Sequence, residues 1–404
     1  MLFRSLSFPS STPAVAMPLL RLVLCGSLLV ALTAGVSPSV AQDASSCIDA
    51  SSVAFSTRGW DTNFCKHSVP YDEIQSGGVP RDGIPPIDDP VYVSTAAADA
   101  WLAGHEPVIR VTLNGAAYAF PLQVLIWHEV VNTTVGGVPV VVTFCPLCYT
   151  ALAFKRPVVA GERLTFGTTG NLRHSDLIMW DRQTESWWQQ FNGTAIVGAL
   201  TGRTLPRVPS QIVAWRTFRQ AHLEGRVLSR QTGHNRPYGQ NPYVGYDTMS
   251  QRPFAYNGPT DDRLLPMQRV VGVRRGTAAR AYPLKGLRTA RVVHDTLGGT
   301  PLVVLWSPGT ASALDERRIR NSRDVGTAGV FRPVVNGQHL TFTANADGTF
   351  TDRQTGSTWR VTGRATSGPL AGTTLDTVPH QFIFWFAWSV FHPNTALHAF
   401  ASSS

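Results

Sequence analysis

Cys145 and Cys148, in the run Thr143-Phe144-Cys145-Pro146-Leu147-Cys148, carry the side chains of this sequence best suited to chemistry. Sulfurs three positions apart can face one metal ion together, or face each other across a tight turn. Upstream, Trp127-His128-Glu129 ends an apolar, helix-like run, and downstream Gly170-Asn171-Leu172-Arg173-His174 crowds polar groups into a loop. Three chemistries fit this set. In the first, Cys145 and Cys148 are thiolate ligands joined by His128 and His174, a set that suits Zn, Cu or Fe. In the second, they form a dithiol/disulfide pair whose thiolate is favoured by His128, with Glu129 as proton acceptor. In the third, they are an inert disulfide beneath a ligand-binding cleft. Glu129, Asn171, Arg173 and His234 are the candidates for contacts behind the ligands or to a bound molecule. The residues do not say whether the protein is an enzyme.

The elements that position these residues read as α+β, mostly antiparallel β with short helices. A Gly136-Gly137 turn leads into the Val-rich run Val138 to Phe144, whose tip is the cysteine pair. Val108 to Leu113, Leu164 to Gly167 and Leu177 to Asp181 carry further strand signals. Helices are expected at Ala96 to Leu102, behind Ser94 or Thr95 as N-cap, and at Gln211 to Leu223, where Ile212, Trp215, Phe218 and Leu223 fall near helical spacing. Residues 42–106 form an irregular leader dense in Gly and Pro.

The chain also repeats itself. Ala117-Tyr118-Ala119-Phe120-Pro121-Leu122 returns as Ala279-Arg280-Ala281-Tyr282-Pro283-Leu284, and Gly136-Gly137-Val138-Pro139 as Gly298-Gly299-Thr300-Pro301, both 162 positions on. Asp181-Arg182-Gln183-Thr184 recurs as Asp352-Arg353-Gln354-Thr355, and Gln211, Trp215 and His222 match Gln381, Trp385 and His392. Two tandem copies follow, residues 107–230 and 269–404, joined by a Tyr- and Pro-rich connector at 231–268. Shared residues read as scaffold. The cysteines face Ser307-Pro308-Gly309-Thr310 in the second copy, His128-Glu129 face Ala290-Arg291, and the His174 loop is five residues shorter there. Their joint absence predicts one site, in the first copy only, with His128 within ligand reach of the cysteines. The connector is expected to fold back over that site.

Residues 1–41 read as an export signal, with Arg4 and Arg21, an apolar run from Leu22 to Val36, and Ser39-Val40-Ala41 before a cleavage point. That places the mature protein in the periplasm or outside the cell, with Cys47 bridged to Cys65. The apolar run is too short to span a membrane. Loss of the two arginines lowers the formal charge from +9 to +7, and the remaining basic residues are scattered. No basic stripe for nucleic acid results, so a metal or small molecule is the expected partner.

The combination Trp-His-Glu, Gly-Gly-x-Pro-Val, Thr-Phe-Cys-Pro-Leu-Cys, Phe-Gly-x-x-Gly-Asn and Asp-Arg-Gln-Thr-Glu-Ser resembles the bacterial family catalogued as domain of unknown function 3179. The resemblance covers roughly residues 77–250, more weakly the second copy, and implies motif boundaries but no reaction. The position after the second cysteine is often small in that family; here it is Tyr149.

Overall fold

Short strands dominate the chain because its apolar residues alternate or cluster in β-branched runs bounded by Gly and Pro. The computed structural model describes Ile48 and residues 52–400. The expected signal segment and Cys47, and with Cys47 the expected bridge to Cys65, lie outside the described residues. No helix among them is long and apolar enough to cross a membrane.

In the first half, Pro107–Leu113 and Ala116–Pro121 form a hairpin flanked antiparallel by Ser210–Ala214 and parallel by Arg226–Leu228. A second sheet orders Arg207–Val208, Thr150–Lys155, Val138–Cys145 and Val130–Val135. A third orders Ile74–Ser76, Phe166–Arg173, Asp176–Asp181, Trp187–Gln189 and Thr194–Val197. The second half has corresponding neighbours. Arg269–Arg275 and Ala278–Pro283 are flanked antiparallel by His380–Phe384 and parallel by Ala396–Leu397. Val292–Leu297, Thr300–Ser307 and Thr327–Phe331 make the next sheet, and Phe342–Ala344 to Ala365–Ser367 the last.

Polar side chains cross between the halves in both directions. Gln211 Nε2 donates to the carbonyls of Ala328 (2.9 Å) and Val361 (3.1 Å), while Gln381 Nε2 donates to that of Phe191 (3.0 Å). The largest apolar cluster runs through both halves, from Phe144 and Cys145 to Phe384 and Trp388. Each half also ties an Asp-x-x-Thr turn to a tryptophan. Asp181 accepts from Thr184 N and Trp188 Nε1 (both 2.8 Å), and Asp352 accepts from Thr355 N (2.7 Å) and Trp359 Nε1 (2.9 Å).

Three expected elements change. The helix foreseen at Gln211 to Leu223 starts only at Trp215, because Ser210–Ala214 pairs with Pro107–Leu113 as a strand and the β-branched Ile212 and Val213 sit well in that ladder. The apolar run before His128 is helical only over Leu122–Leu125, followed by a turn. The leader is not wholly irregular. Ile74–Ser76 and Tyr92–Ser94 add edge strands to two sheets, and Phe55, Trp60 and Phe64 pack edge-on against Trp187. The small helix expected at Ala96 to Leu102 spans Thr95–Ala98, with Ser94 Oγ accepting from Ala97 N at 3.2 Å.

Candidate metal centre

Val138–Cys145 and Thr150–Lys155 form a hairpin whose closing turn is Pro146 to Tyr149. The pairing ends at Cys145 with Thr150, and Tyr149 N returns a hydrogen bond to Pro146 O (3.2 Å). Closing the turn places Tyr149 at φ 62°, the left-handed region where glycine is cheapest. The ring of Tyr149 offsets that strain. It is buried, lies under the Arg269 guanidinium at 4.5 Å, and its hydroxyl accepts from Ala313 N (3.3 Å). Phe384 N donates to Cys148 O at 3.1 Å. The second half therefore braces the cysteine turn from below.

The sulfurs lie 3.4 Å apart, well beyond the ~2.05 Å of a disulfide. Both cysteines are free, 1% and 0% exposed, and burial pushes both thiols up from their ordinary range. A second tight turn meets them. Phe166–Arg173 and Asp176–Asp181 pair with Arg173 opposite Asp176, leaving His174 (φ 52°) and Ser175 (φ 68°) as a two-residue loop with both backbones left-handed. That loop puts Ser175 O 3.2 Å from Cys148 Sγ and 3.7 Å from Cys145 Sγ, and Asp176 Oδ1 3.3 Å from Cys148 Sγ. Non-glycine residues in αL cost about 1–3 kcal/mol each, and here the strain is spent on aiming a carboxylate and a carbonyl at two sulfurs.

Asp176 is held for one direction. Its Oδ2 accepts from Gln189 Nε2 (2.5 Å) and Phe191 N (2.8 Å), which leaves Oδ1 for the sulfurs. Arg173 steadies Gln189, donating from Nη1 to Gln189 Oε1 at 3.3 Å while its Nε donates to Glu73 at 2.6 Å. Burial raises the Asp176 carboxyl to about 6. Cys145, Cys148 and Asp176 are a buried group whose donor atoms all lie within 4.8 Å of one another, and no other such group of three occurs among the described residues. An ion ~2.3 Å from each sulfur fits between atoms 3.4 Å apart.

Glu129 arrives beside this group by strand register. Val130 pairs with Thr143, and Glu129 O accepts from Phe144 N at 2.8 Å. At φ 58° its backbone turns sharply, so the side chains of His128 and Glu129 part. Glu129 lines a 590 Å³ cavity together with Leu147, Asn171 and Leu177. Burial, then the charge of Asp176, raise its carboxyl to about 8. His128 goes elsewhere. Its Nδ1 bonds Pro85 O at 2.7 Å and its Nε2 bonds the Tyr238 hydroxyl at 2.6 Å. With both ring nitrogens taken and burial lowering its pKa to about 4, His128 stands outside the sulfur group rather than within ligand reach of it. The left-handed turn at Glu129 is the cause.

His174 is also outside. The turn that carries it directs its imidazole away from the sulfurs, to Glu73 Oε2 at 3.3 Å and against Tyr256 and Phe391. His234 is exposed, its ring 5.4 Å from that of His128. Sequence reasoning missed Asp176. The usable signal was its place two residues beyond His174, inside the hairpin that the second copy shortens: Phe342–Ala344 there has three residues where Phe166–Arg173 has eight.

Residues 81–395 match the family described as "Protein of unknown function (DUF3179)". The chain belongs to the DUF3179 family. The match spans both halves, further than the cysteine-bearing motifs alone, as expected where the second half supports the cysteine turn. No curated protein and no solved structure matches the chain.

Proposed function

We propose that this DUF3179 chain is an exported protein that holds one transition-metal ion through Cys145, Cys148 and Asp176. The observation carrying this reading is the convergence of two free sulfurs and an oriented carboxylate oxygen, buried together and contributed by two strained turns. A buried carboxylate and two buried thiols have little reason to be gathered without a cation, since burying the charge costs several kcal/mol. Thiolate with carboxylate suits Zn or Fe, and Cu remains within the donor set. Three protein donors also leave a fourth position, the arrangement of metal sites that meet a substrate or water. The cavity reaching Leu147, between the cysteines, and Leu177, beside Asp176, gives that position a route.

Thiol exchange with a partner protein is the weaker reading. It needs an accessible sulfur of low pKa, and both sulfurs are buried with raised pKa values. On the metal reading His128 and His174 are structural, Arg173 and Gln189 orient Asp176, and a Cys47–Cys65 bridge staples the start of the mature chain. The two halves are copies of one unit of which the first kept the site. Their corresponding sheet neighbours and the two Asp-x-x-Thr turns support that view. Elemental analysis of protein purified without added metal tests the proposal. Near one metal per chain is expected, lost in Cys145→Ser and in Asp176→Ala but kept in His128→Ala. Metal-free wild type that also takes up no Zn, Cu or Fe under reducing conditions would end it.

A further inference from the structure

The 590 Å³ cavity beside the sulfurs falls within the size range of small-molecule pockets, about 300–1,000 Å³. Its floor and walls include Leu147, Leu172 and Leu177 from the first half. The leader supplies Val79 and Ile84, held by backbone bonds from Gly77 N to Gly170 O (2.7 Å) and from Asp82 N to Thr168 O (2.8 Å). Gly170 makes that closure possible, because a Cβ there would lie 2.1 Å from Val79 O. The connector forms the remaining side, with Tyr243, Tyr246 and the stretch from Gln251 to Ala255. Tyr246 OH accepts from Phe254 N at 3.0 Å and so fixes the rim.

Apart from the phenols of Tyr243 and Tyr246, the ionisable side chains lining this space are Glu129, buried, and Arg252, exposed at the rim. The Glu129 carboxyl is buried, receives no hydrogen bond among the described residues, and faces a mainly apolar enclosure. At the mouth the apolar character continues, with Phe254 half exposed. A polyhydroxylated or multiply charged ligand would lose its hydration in such a space with too few polar side chains to replace it.

We infer that the cavity binds a small, predominantly apolar organic molecule bearing one hydrogen-bond donor, its apolar body between the leader and the connector and its donor on Glu129. The inference rests on the metal reading only for what lies beyond that polar end. The pocket's walls do not depend on it.

Binding of 4-fluorophenol, followed by fluorine NMR, tests this in full-length mature protein, with fluorobenzene and 2-fluoro-2-deoxyglucose as comparison probes. The phenol is expected to bind about 3–10-fold more tightly than fluorobenzene, the margin of one hydrogen bond, and the sugar not to bind. Leu172→Trp, which fills the cavity, and Phe254→Asp, which charges its exposed rim, should each weaken phenol binding by at least about tenfold. Glu129→Leu should erase the preference for phenol over fluorobenzene. Near-ultraviolet circular dichroism confirms that each variant is folded, and Phe254→Asp alters an exposed side chain, so one arm survives if Leu172→Trp does not fold. Metal content is measured on the same samples. Metal-loaded protein that ignores the phenol, or phenol binding unmoved by both Leu172→Trp and Phe254→Asp, overturns the inference and leaves the metal centre standing. Phenol binding as expected in protein that never takes metal supports the inference and ends the metal reading alone.

Discussion

Glu129→Gln in chelator-treated protein separates the cost of the buried carboxyl from everything else at the site. The folded-state pKa of Glu129 is raised from 4.5 to about 8, first by burial and then by Asp176. A carboxyl raised in the fold contributes stability that is fully present below its unfolded pKa and is lost as pH climbs through the folded one. The relevant window therefore runs from about pH 4.5 to about pH 8. At 1.36 kcal/mol per pH unit, the displacement makes the ionised form roughly 5 kcal/mol less favourable in the fold. Water entering the cavity reduces this, so about 2–5 kcal/mol is the working range. Gln keeps the shape and never ionises. Urea unfolding at pH 9 should therefore show Glu129→Gln more stable than wild type by about 2–5 kcal/mol, and at pH 5 the difference should shrink below about 1 kcal/mol. Equal stability at pH 9, or a less stable variant, would refute the buried, poorly solvated placement of this carboxyl.

Other consequences follow from the same geometry. His128→Ala should cost about 1–3 kcal/mol in urea melts, since it strands Pro85 O and removes one of the partners of the Tyr238 hydroxyl, which Thr232 still meets, without changing metal content. Arg269→Ala leaves buried Asp247 without its 2.5 Å partner and strips the guanidinium from Tyr149, so about 3–5 kcal/mol of stability and part of the metal affinity should go together. Burial opposes ionisation of Asp247, but Arg269, Ser312 and Arg323 together hold its carboxyl below the usual range; its stabilisation is present above the unfolded pKa and should fade in wild type as pH falls through the folded value. Asp181→Ala removes the acceptor for Thr184 N and Trp188 Nε1 and should destabilise the protein by about 2–4 kcal/mol, read as a lower urea midpoint.

What the sequence disclosed, and what it hid, divides along the range of the interactions. The Val-rich strand ending at Cys145 was legible because alternation and turn residues are local signals, and so was the α+β class. The strand at Ser210–Ala214 was misread because Ile212 falls at helical spacing from Trp215 and Phe218, and only pairing with Pro107–Leu113 decides. The cysteine pair announced itself by type. Its third partner did not, because Asp176 reaches the sulfurs through a turn in which His174 and Ser175 adopt positive φ without a glycine to mark it. His128 drew attention by type, yet a single positive φ at its neighbour Glu129 sends the imidazole to Tyr238. Such reversals depend on one backbone angle each, which composition and periodicity do not encode.

X-ray absorption at the edge of whichever metal copurifies tests the centre most directly. A metal held by Cys145, Cys148 and Asp176 should show two sulfur scatterers at ~2.3 Å and at least one oxygen or nitrogen near ~2.0–2.2 Å. One sulfur should disappear in Cys148→Ser, and the light-atom shell should thin in Asp176→Ala. A first shell without sulfur, or a wild-type spectrum unchanged in Cys148→Ser, would contradict a metal held by Cys145, Cys148 and Asp176.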